Sequence, residues 1–275
     1  MEHYNPLLQD NDTTQKFITI GEIMLRLTPP NYEKIRMATS FEASYGGSEA
    51  NIALALANLN VDSTFFSVVP NNSIGKSAIR MLRSNDVHCT PVILSTPEQT
   101  PTHRLGTYYL ETGYGIRPSK VTYDRKHSAF AEYDFDNVDL DALLEGYTWL
   151  HLSGITPAVS PKCKELILNS LKMAKAKGIT TSFYGNFRSK MWTWKRPEIS
   201  VRNVFHMWMY FLVLNHIISG KMKMITVRVT GRTAFRCSQA MSSRMKCSRD
   251  LWIVIRILNA LPAMYVMHTA VVRTV

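Results

Sequence analysis

Strand-like and helix-like segments alternate along the chain from residue 16 to residue 188. The strand-like runs are rich in β-branched and aromatic residues, and they are KFITIGEIMLRL (16–27), STFFSVV (63–69), VHCTPVIL (87–94), YTWLHLSG (147–154) and ITTSFYGNFR (179–188). The segments with helical periodicity are IALALANL (52–59), NSIGKSAIRMLRSN (72–85) and SPKCKELILNSLKMAKAKG (160–178). Strands separated by helices of this length indicate an α/β fold with a parallel, doubly wound sheet.

Two shorter runs, HRLGTYYLE and SKVTYDR, lie between residues 103 and 125. Both are rich in tyrosine and β-branched residues, which favours a pair of short strands apart from the main alternation. In doubly wound sheets ligands bind beyond the carboxyl ends of the strands. Residues that follow strands are therefore the first candidates for a functional site.

A glycine pair opens the first helical segment, in the stretch YGGSEAN (45–51). One interpretation is a tight turn before a helix, with Ser48 as the N-cap residue. The other is a ligand lying on exposed backbone N–H groups at the positive end of the helix, held by Glu49 and Asn51. The stretch by itself leaves both interpretations open.

The stretch YGGSEAN is one of several motifs that follow one another in a fixed order along the chain. KFITIGEIMLRLTPP, YGGSEANIALALANL, NSIGKSAIRMLRSNDV and HLSGI follow one another along the chain, and together they resemble the ribokinase-like (PfkB) sugar kinases. GTYYLE, VTYDRKHSA and NFRSKMW are similar to the 2-keto-3-deoxygluconate kinase branch. The resemblance covers about residues 16–194. It implies a mainly parallel, doubly wound sheet with a small β lid, and transfer of the ATP γ-phosphate to a sugar-acid hydroxyl with Mg²⁺.

The resemblance also implies substrate-binding residues. Gly47, Ser48, Glu49 and Asn51 match the stretch that holds the sugar hydroxyls in the family. Tyr108, Tyr123 and Arg125 match lid residues that contact the substrate, with the arginine holding the carboxylate of an acidic sugar through its planar guanidinium.

The lid residues have structural alternatives. The two tyrosines could be a cross-strand packing pair, and Arg125 could be a surface charge. Asp124, between Tyr123 and Arg125, departs from the aromatic residue usual in relatives, and we expect its charge to repel an acidic substrate.

The nucleotide side of the expected site is weaker. Asn186 and Arg188 match an Asp-x-Asn-x-Arg element near the nucleotide phosphates, but its first position is Tyr184 here. The family also carries a glycine-rich element with a catalytic aspartate, which supplies a general base and an anion hole. After residue 194 the glycines are Gly220 and Gly231 and the only aspartate is Asp250. The sequence therefore offers no catalytic residue and no metal ligands, and predicts little or no phosphotransfer.

The excess of positive charge lies entirely in residues 195–275. Residues 195–275 hold 13 of the 32 Lys and Arg residues but only two of the 21 acids, Glu198 and Asp250, which leaves 19 of each sign before residue 195. A basic tail can bind polyanions, but this one also contains eight of the 14 methionines. The apolar run at 205–219 is shorter than a bilayer crossing of about 20 residues. We therefore rank nucleic-acid and membrane binding last.

A shifted reading frame explains this composition better. HIISGKMKMIT (216–226) can be encoded so that reading from its third base gives YHLWKDEDDH, with the acids that the tail lacks. Loss of one base just after the Trp194 codon would produce such a tail. We therefore expect three regions: an N-terminal tail (1–15), the front part of a sugar kinase domain (16–194), and a basic tail that is out of frame (195–275).

Further expectations concern the setting of the protein. The polar N-terminal residues argue against a signal peptide, and four cysteines without CxxC spacing fit reduced thiols in a cytoplasmic protein. The expected partner is a small sugar or sugar acid, and a homodimer through the strands at 103–125 is an option. The alternative to a truncated kinase is a sugar-binding pseudoenzyme.

Overall fold

The structure is a computed structural model that describes residues 15–184 in full and the backbone of residues 210–218 and 221–228. The strands are β1 (Lys16–Ile20), β2 (Met24–Thr28), β3 (Glu42–Gly46), β4 (Asp62–Phe66), β5 (Val68–Pro70), β6 (Ile93–Ser95), β7 (Thr107–Glu111), β8 (Lys120–Asp124), β9 (Trp149–Ser153), β10 (Thr180–Tyr184), β11 (Tyr210–Ile218) and β12 (Lys221–Arg228). The α-helices are α1 (Ser48–Asn58), α2 (Ser73–Arg83), α3 (Ala129–Glu132), α4 (Leu140–Leu143) and α5 (Pro161–Ala176).

The main sheet has the strand order β12-β11-β10-β9-β1-β4. Its strands run parallel except for β12, which is antiparallel to β11. One face of β1, β9 and β10 packs against α5 through a cluster that includes Ile18, Leu150 and Leu166. A second cluster joins α1 and α2 to Phe65 of β4. The predicted α/β fold with a mainly parallel sheet is confirmed.

A second sheet of four strands, which we call the lid, has the order β3-β2-β7-β8. The strands expected at 103–125 are its members β7 and β8, joined as an antiparallel pair. The run at 16–27 is divided between two sheets, because β1 belongs to the main sheet and β2 to the lid. The chain turns at Gly21, where a side chain would overlap the carboxyl group of Glu49.

The segments expected to be helical at 72–85 and 160–178 contain α2 and α5. Asn72 caps α2 by accepting bonds from the backbone N–H groups of Ile74 (3.1 Å) and Gly75 (3.0 Å). Ser160 caps α5 by accepting a bond from the N–H of Cys163 at 3.2 Å, and Pro161 is the first helical residue. Within the described residues, no helix is both long and apolar enough to cross a bilayer.

His151 lies buried in β9 and is neutral at physiological pH. Its Nδ1 is 2.8 Å from the Ser182 hydroxyl oxygen, which also accepts a bond from the indole N–H of Trp149 at 2.8 Å. The Ser182 hydroxyl oxygen thus contacts both the Trp149 indole and the His151 imidazole, and the tautomer of the imidazole sets which group donates in the second contact. Burial lowers the pKa of His151 to about 4.

We expect this histidine to make the protein less stable in mild acid. The unfolded chain binds a proton near the ordinary histidine pKa of about 6.5, whereas the folded chain binds it only near pH 4, so stability is lost as the pH falls between these values. His151 alone is expected to lower the free energy of unfolding by about 2 kcal/mol between pH 7 and pH 5. Urea titration at both pH values measures it.

The variant His151→Asn isolates this effect. Burial raises the pKa of Glu49, which gives a slope of opposite sign, but that slope is present in both proteins and cancels in the comparison. The variant should lose the destabilisation that His151 causes between pH 7 and pH 5. An equal pH dependence in the two proteins would show that His151 does not carry it.

Candidate functional site

The glycine pair at the start of α1 forms a cradle, which we define as Gly46 to Asn51. Gly46 ends β3, and Gly47 is the N-cap residue of α1 in an extended conformation. The expectation that Ser48 caps the helix is therefore wrong, because Ser48 is already the first helical residue. The N-cap of α1 makes no side-chain hydrogen bond, so the helix begins on bare backbone.

Each glycine of the cradle has its own reason to lack a side chain. A Cβ atom at Gly46 would lie 3.1 Å from the Tyr108 hydroxyl oxygen and 3.6 Å from Oδ1 of Asn51. Gly46 thus keeps open the space between a lid tyrosine and the first turn of α1. A Cβ atom at Gly47 would overlap the backbone carbonyl of Glu22, so the second glycine is required by close packing of two chain segments.

Glu49 points into the protein beneath the cradle. Its side chain is buried, and its Oε1 accepts a hydrogen bond from the Thr156 hydroxyl at 2.7 Å. Burial raises the pKa of Glu49, against the opposing effect of hydrogen bonds from Ser153 and Thr156. The carboxyl group therefore joins α1 to the chain that follows β9. Its expected contact with a sugar stays a prediction.

One row of side chains crosses the lid from strand to strand. The residues Ser44, Arg26, Tyr108 and Tyr123 are successive partners in β3, β2, β7 and β8, so they share one face. Nε of Arg26 donates to the Ser44 hydroxyl at 2.7 Å, and the guanidinium also bonds the Tyr108 phenol. The ring centroids of the two tyrosines are 5.8 Å apart.

The tyrosines are therefore a packing pair, as one interpretation of the sequence had it. That packing does not keep Tyr108 away from the cradle, because its hydroxyl reaches the space in front of Gly46. Burial raises the pKa of the Tyr108 phenol, while the nearby Arg26 opposes the shift. The phenol thus stays protonated and can donate or accept a hydrogen bond at this position.

The Arg125 side chain lies mostly inside the protein and is not a surface charge. Its guanidinium forms an ion pair with Glu22, and the exposed fractions of the two side chains are 10% and 3%. The Ser128 hydroxyl donates to the other carboxylate oxygen of Glu22. A Cβ atom at Gly106 would lie 2.7 Å from that oxygen. The pair is thus enclosed where β2, β7 and the end of β8 meet.

Asp124 points away from this site. It alternates with Tyr123 and Arg125 along the chain, and it forms a two-point ion pair with Arg104, at 3.0 Å from Nη1 and 2.8 Å from Nη2. Hydrogen bonds from Arg104 lower the pKa of Asp124. Since the Asp124 charge is balanced there, the structure gives no support to the expected repulsion of an acidic substrate.

The remaining expected residues lie elsewhere. Asn186 and Arg188, the expected nucleotide-binding residues, are outside the described residues, and Tyr184 is the last residue of β10. Within residues 15–184, no group of three or more His, Cys, Asp and Glu side chains could hold a metal ion. Sequence reasoning missed Glu22, Arg26 and Arg104, although GEIMLRL places an acid and an arginine in an otherwise apolar run.

A mainly parallel sheet, a four-stranded lid and a glycine cradle that faces the lid tyrosines define a carbohydrate kinase fold of the ribokinase-like type. Residues 14–207 match the family model described as pfkB family carbohydrate kinase, and the chain belongs to this family. The match continues past Trp194, where we expected the resemblance to end.

Curated relatives of the chain include kinases that are named for dehydro-deoxy sugars. The chain is 34% identical over 180 residues to a 2-dehydro-3-deoxygalactonokinase of Haloferax volcanii, covering 66% of this chain and 54% of that protein. It is similar to the crystal structure of a 2-dehydro-3-deoxygluconokinase of Thermotoga maritima, with 36% identity, a TM-score of 0.67, and coverage of 72% and 59% of the two chains. The chain spans about half the length of the curated relatives it matches.

Proposed function

We propose that the cradle and the lid bind an acidic keto-deoxy sugar such as 2-keto-3-deoxygluconate, and that this 275-residue chain does not phosphorylate it. In relatives with this fold the expected reaction is transfer of the ATP γ-phosphate to a sugar hydroxyl. The observation that carries the proposal is the approach of the Tyr108 hydroxyl to the space in front of Gly46 and Asn51. A phenol and an amide side chain there match the hydroxyls of a sugar.

The charges of the site favour an acidic ligand over a neutral one. Arg26 lies at the lid face that carries Tyr108 and Tyr123. The names of the relatives support the same ligand class, since the proteins of Haloferax volcanii and Thermotoga maritima are named as kinases of dehydro-deoxy sugar acids.

Phosphotransfer needs groups that this chain lacks. In the family reaction Mg²⁺ would neutralise charge on the ATP phosphates, an aspartate would take the proton of the sugar hydroxyl, and a glycine-rich helix start would bind the transferred group. Residues 195–275 contain no glycine-rich stretch followed by aspartate. Asn186 and Arg188 remain the candidates for contact with the nucleotide phosphates.

Calorimetric titration of the full chain tests the proposal. We expect a heat of binding for 2-keto-3-deoxygluconate with a dissociation constant in the micromolar to millimolar range. The variant Asn51→Asp keeps the shape of the side chain and adds a negative charge to the cradle. It should weaken binding of the acid about tenfold or more, since a like charge within a few ångströms costs over about 1.4 kcal/mol in a half-buried site.

The matched control for this variant is Asn85→Asp. Asn85 follows α2, is exposed, and bonds only its own helix end through Met81 and Ser84 among the described contacts. It should leave the affinity unchanged. The absence of any heat of binding at millimolar acid with the wild-type chain would contradict the proposed function.

We also propose, from the family resemblance, a homodimer through the lid strands and a cytoplasmic location. The hairpin between β7 and β8 exposes Tyr114 and Ile116, and Ile116 is as exposed as in an extended chain. Apolar side chains of this kind are typical of contact surfaces. Sedimentation of the wild type beside Ile116→Asp tests the dimer, which the variant should dissociate.

A further inference from the structure

We infer that Arg26 is a specificity-determining residue of the proposed sugar-acid site, and that its guanidinium contacts the carboxylate of the bound sugar. The inference rests on the proposed function and adds a residue that the motifs did not indicate. Arg26 lies in the middle of β2, an inner strand of the lid.

The position of Arg26 places its charge at the cradle. It is paired with Tyr108 in the neighbouring strand and bonds the Tyr108 phenol. The oxygen of that phenol is 3.1 Å from where a Gly46 side chain would begin. A guanidinium bonded to this phenol is therefore within reach of a ligand that fills the space in front of Gly46.

The contacts of Arg26 hold the guanidinium in one orientation. Nε donates to the Ser44 hydroxyl at 2.7 Å on one side, and the Tyr108 phenol is bonded on the other. Because Arg26 is only partly exposed, its electric field is less screened than that of a surface arginine. A planar guanidinium held in this way suits two-point recognition of a carboxylate.

Arg125 alone does not explain selectivity for an acid. Its guanidinium forms a buried ion pair with Glu22, and Ser128 donates to the same carboxylate. The net charge of the Arg125–Glu22 pair is zero, so it attracts a substrate carboxylate only weakly unless Glu22 is displaced.

Calorimetry of the full chain with 2-keto-3-deoxygluconate and with its neutral methyl ester tests this role. The wild type should prefer the acid. The variant Arg26→Gln should weaken binding of the acid by about 10- to 100-fold, the contribution of charge-assisted hydrogen bonds. Its binding of the ester should change less than about threefold, because the ester offers no charge to the guanidinium.

Two further variants complete the experiment. Lys120 is the first residue of β8, and its side chain lies on the opposite face of the lid to Tyr123. Lys120→Gln removes one positive charge there and should leave both affinities unchanged. Arg26→Lys keeps the charge but not the planar fork, and should lower the preference for the acid severalfold. If Arg26→Gln lowers the thermal unfolding temperature too far for titration, Arg26→Lys takes its place in the comparison of acid and ester.

The outcomes separate the two claims. If the wild type binds the acid and Arg26→Gln weakens acid and ester equally, Arg26 only supports Tyr108 and the inference is overturned. An unchanged preference in Arg26→Lys and Arg26→Gln overturns it as well, while the proposed function stands. If the wild type binds neither ligand, the proposed function fails and this inference fails with it.

Discussion

One base inserted directly after the Trp194 codon is expected to give a chain with far higher sugar-acid kinase activity than the 275-residue chain, which we propose to be inactive. The insertion would restore the frame in which HIISGKMKMIT can be read as YHLWKDEDDH, and we expect the same frame to encode the glycine-rich element with its aspartate. A general base contributes about 10²- to 10⁴-fold to a rate and an anion hole about 10²- to 10³-fold. The turnover should therefore rise on the order of 10⁴-fold or more.

A coupled assay of ADP release with 2-keto-3-deoxygluconate and Mg-ATP measures this change. The control gene carries three inserted bases at the same place, which adds one residue and leaves the frame as it is, and its product should stay inactive. Turnover by the unmodified 275-residue chain at the rate of the restored one would contradict the expectation. So would a restored chain that folds and remains inactive.

Replacing Glu22 by glutamine is expected to destabilise the protein by about 3–5 kcal/mol. The side chain is almost completely buried against Arg125 and accepts a bond from Ser128. The amide cannot balance the guanidinium charge, so Arg125 would be left as a buried cation without its carboxylate partner. The free energy of unfolding from urea titration at pH 7 measures the loss.

The exposed ion pair of the same lid provides the control. Asp124→Asn removes the carboxylate from Arg104, but the Asp124 side chain is 55% exposed. Pairs in contact with water contribute at most about 1 kcal/mol, so this variant should lose far less stability than Glu22→Gln. Equal losses in the two variants would contradict the expected cost of leaving Arg125 without its carboxylate partner.

The local elements of the fold could be predicted because their signals lie close together in sequence. Ser160 and Pro161 mark the start of α5, and Asn72 marks the start of α2. The division of 16–27 between two sheets could not be predicted in this way. It depends on the fit of Gly21 against Glu49, and the two residues become neighbours only after β1 and α1 have packed.

In the site, too, the residues within sequence motifs could be predicted, whereas contacts between residues far apart in sequence could not. The motifs placed Tyr108, Tyr123 and Arg125 together, and β7 and β8 bring them to one region of the lid. Glu22 was missed because its ion pair with Arg125 joins residues 103 positions apart. A lone acid in an apolar run gives no sign of the partner it will meet. Such pairs arise from the packing of β2 beside β7 and not from local sequence.

The interpretation of Ser48 as the N-cap residue of α1 was wrong for a clear physical reason. Serine before a helix is a strong capping signal, but Gly47 takes the cap position here. Close approach of the Glu22 carbonyl leaves no room for a side chain at that position. A requirement of tertiary packing therefore outweighs the local preference for a capping side chain at this position.

The nucleotide sequence across codons 190–220 tests most directly whether an intact sugar-binding half is followed by a displaced reading frame. We predict that the frame displaced by one base after the Trp194 codon stays open and encodes acidic residues, including the run DEDD opposite the codons for residues 221–225. A stop codon in that frame, or codons that encode no acids there, would contradict the displaced frame and make the basic tail a native part of the protein.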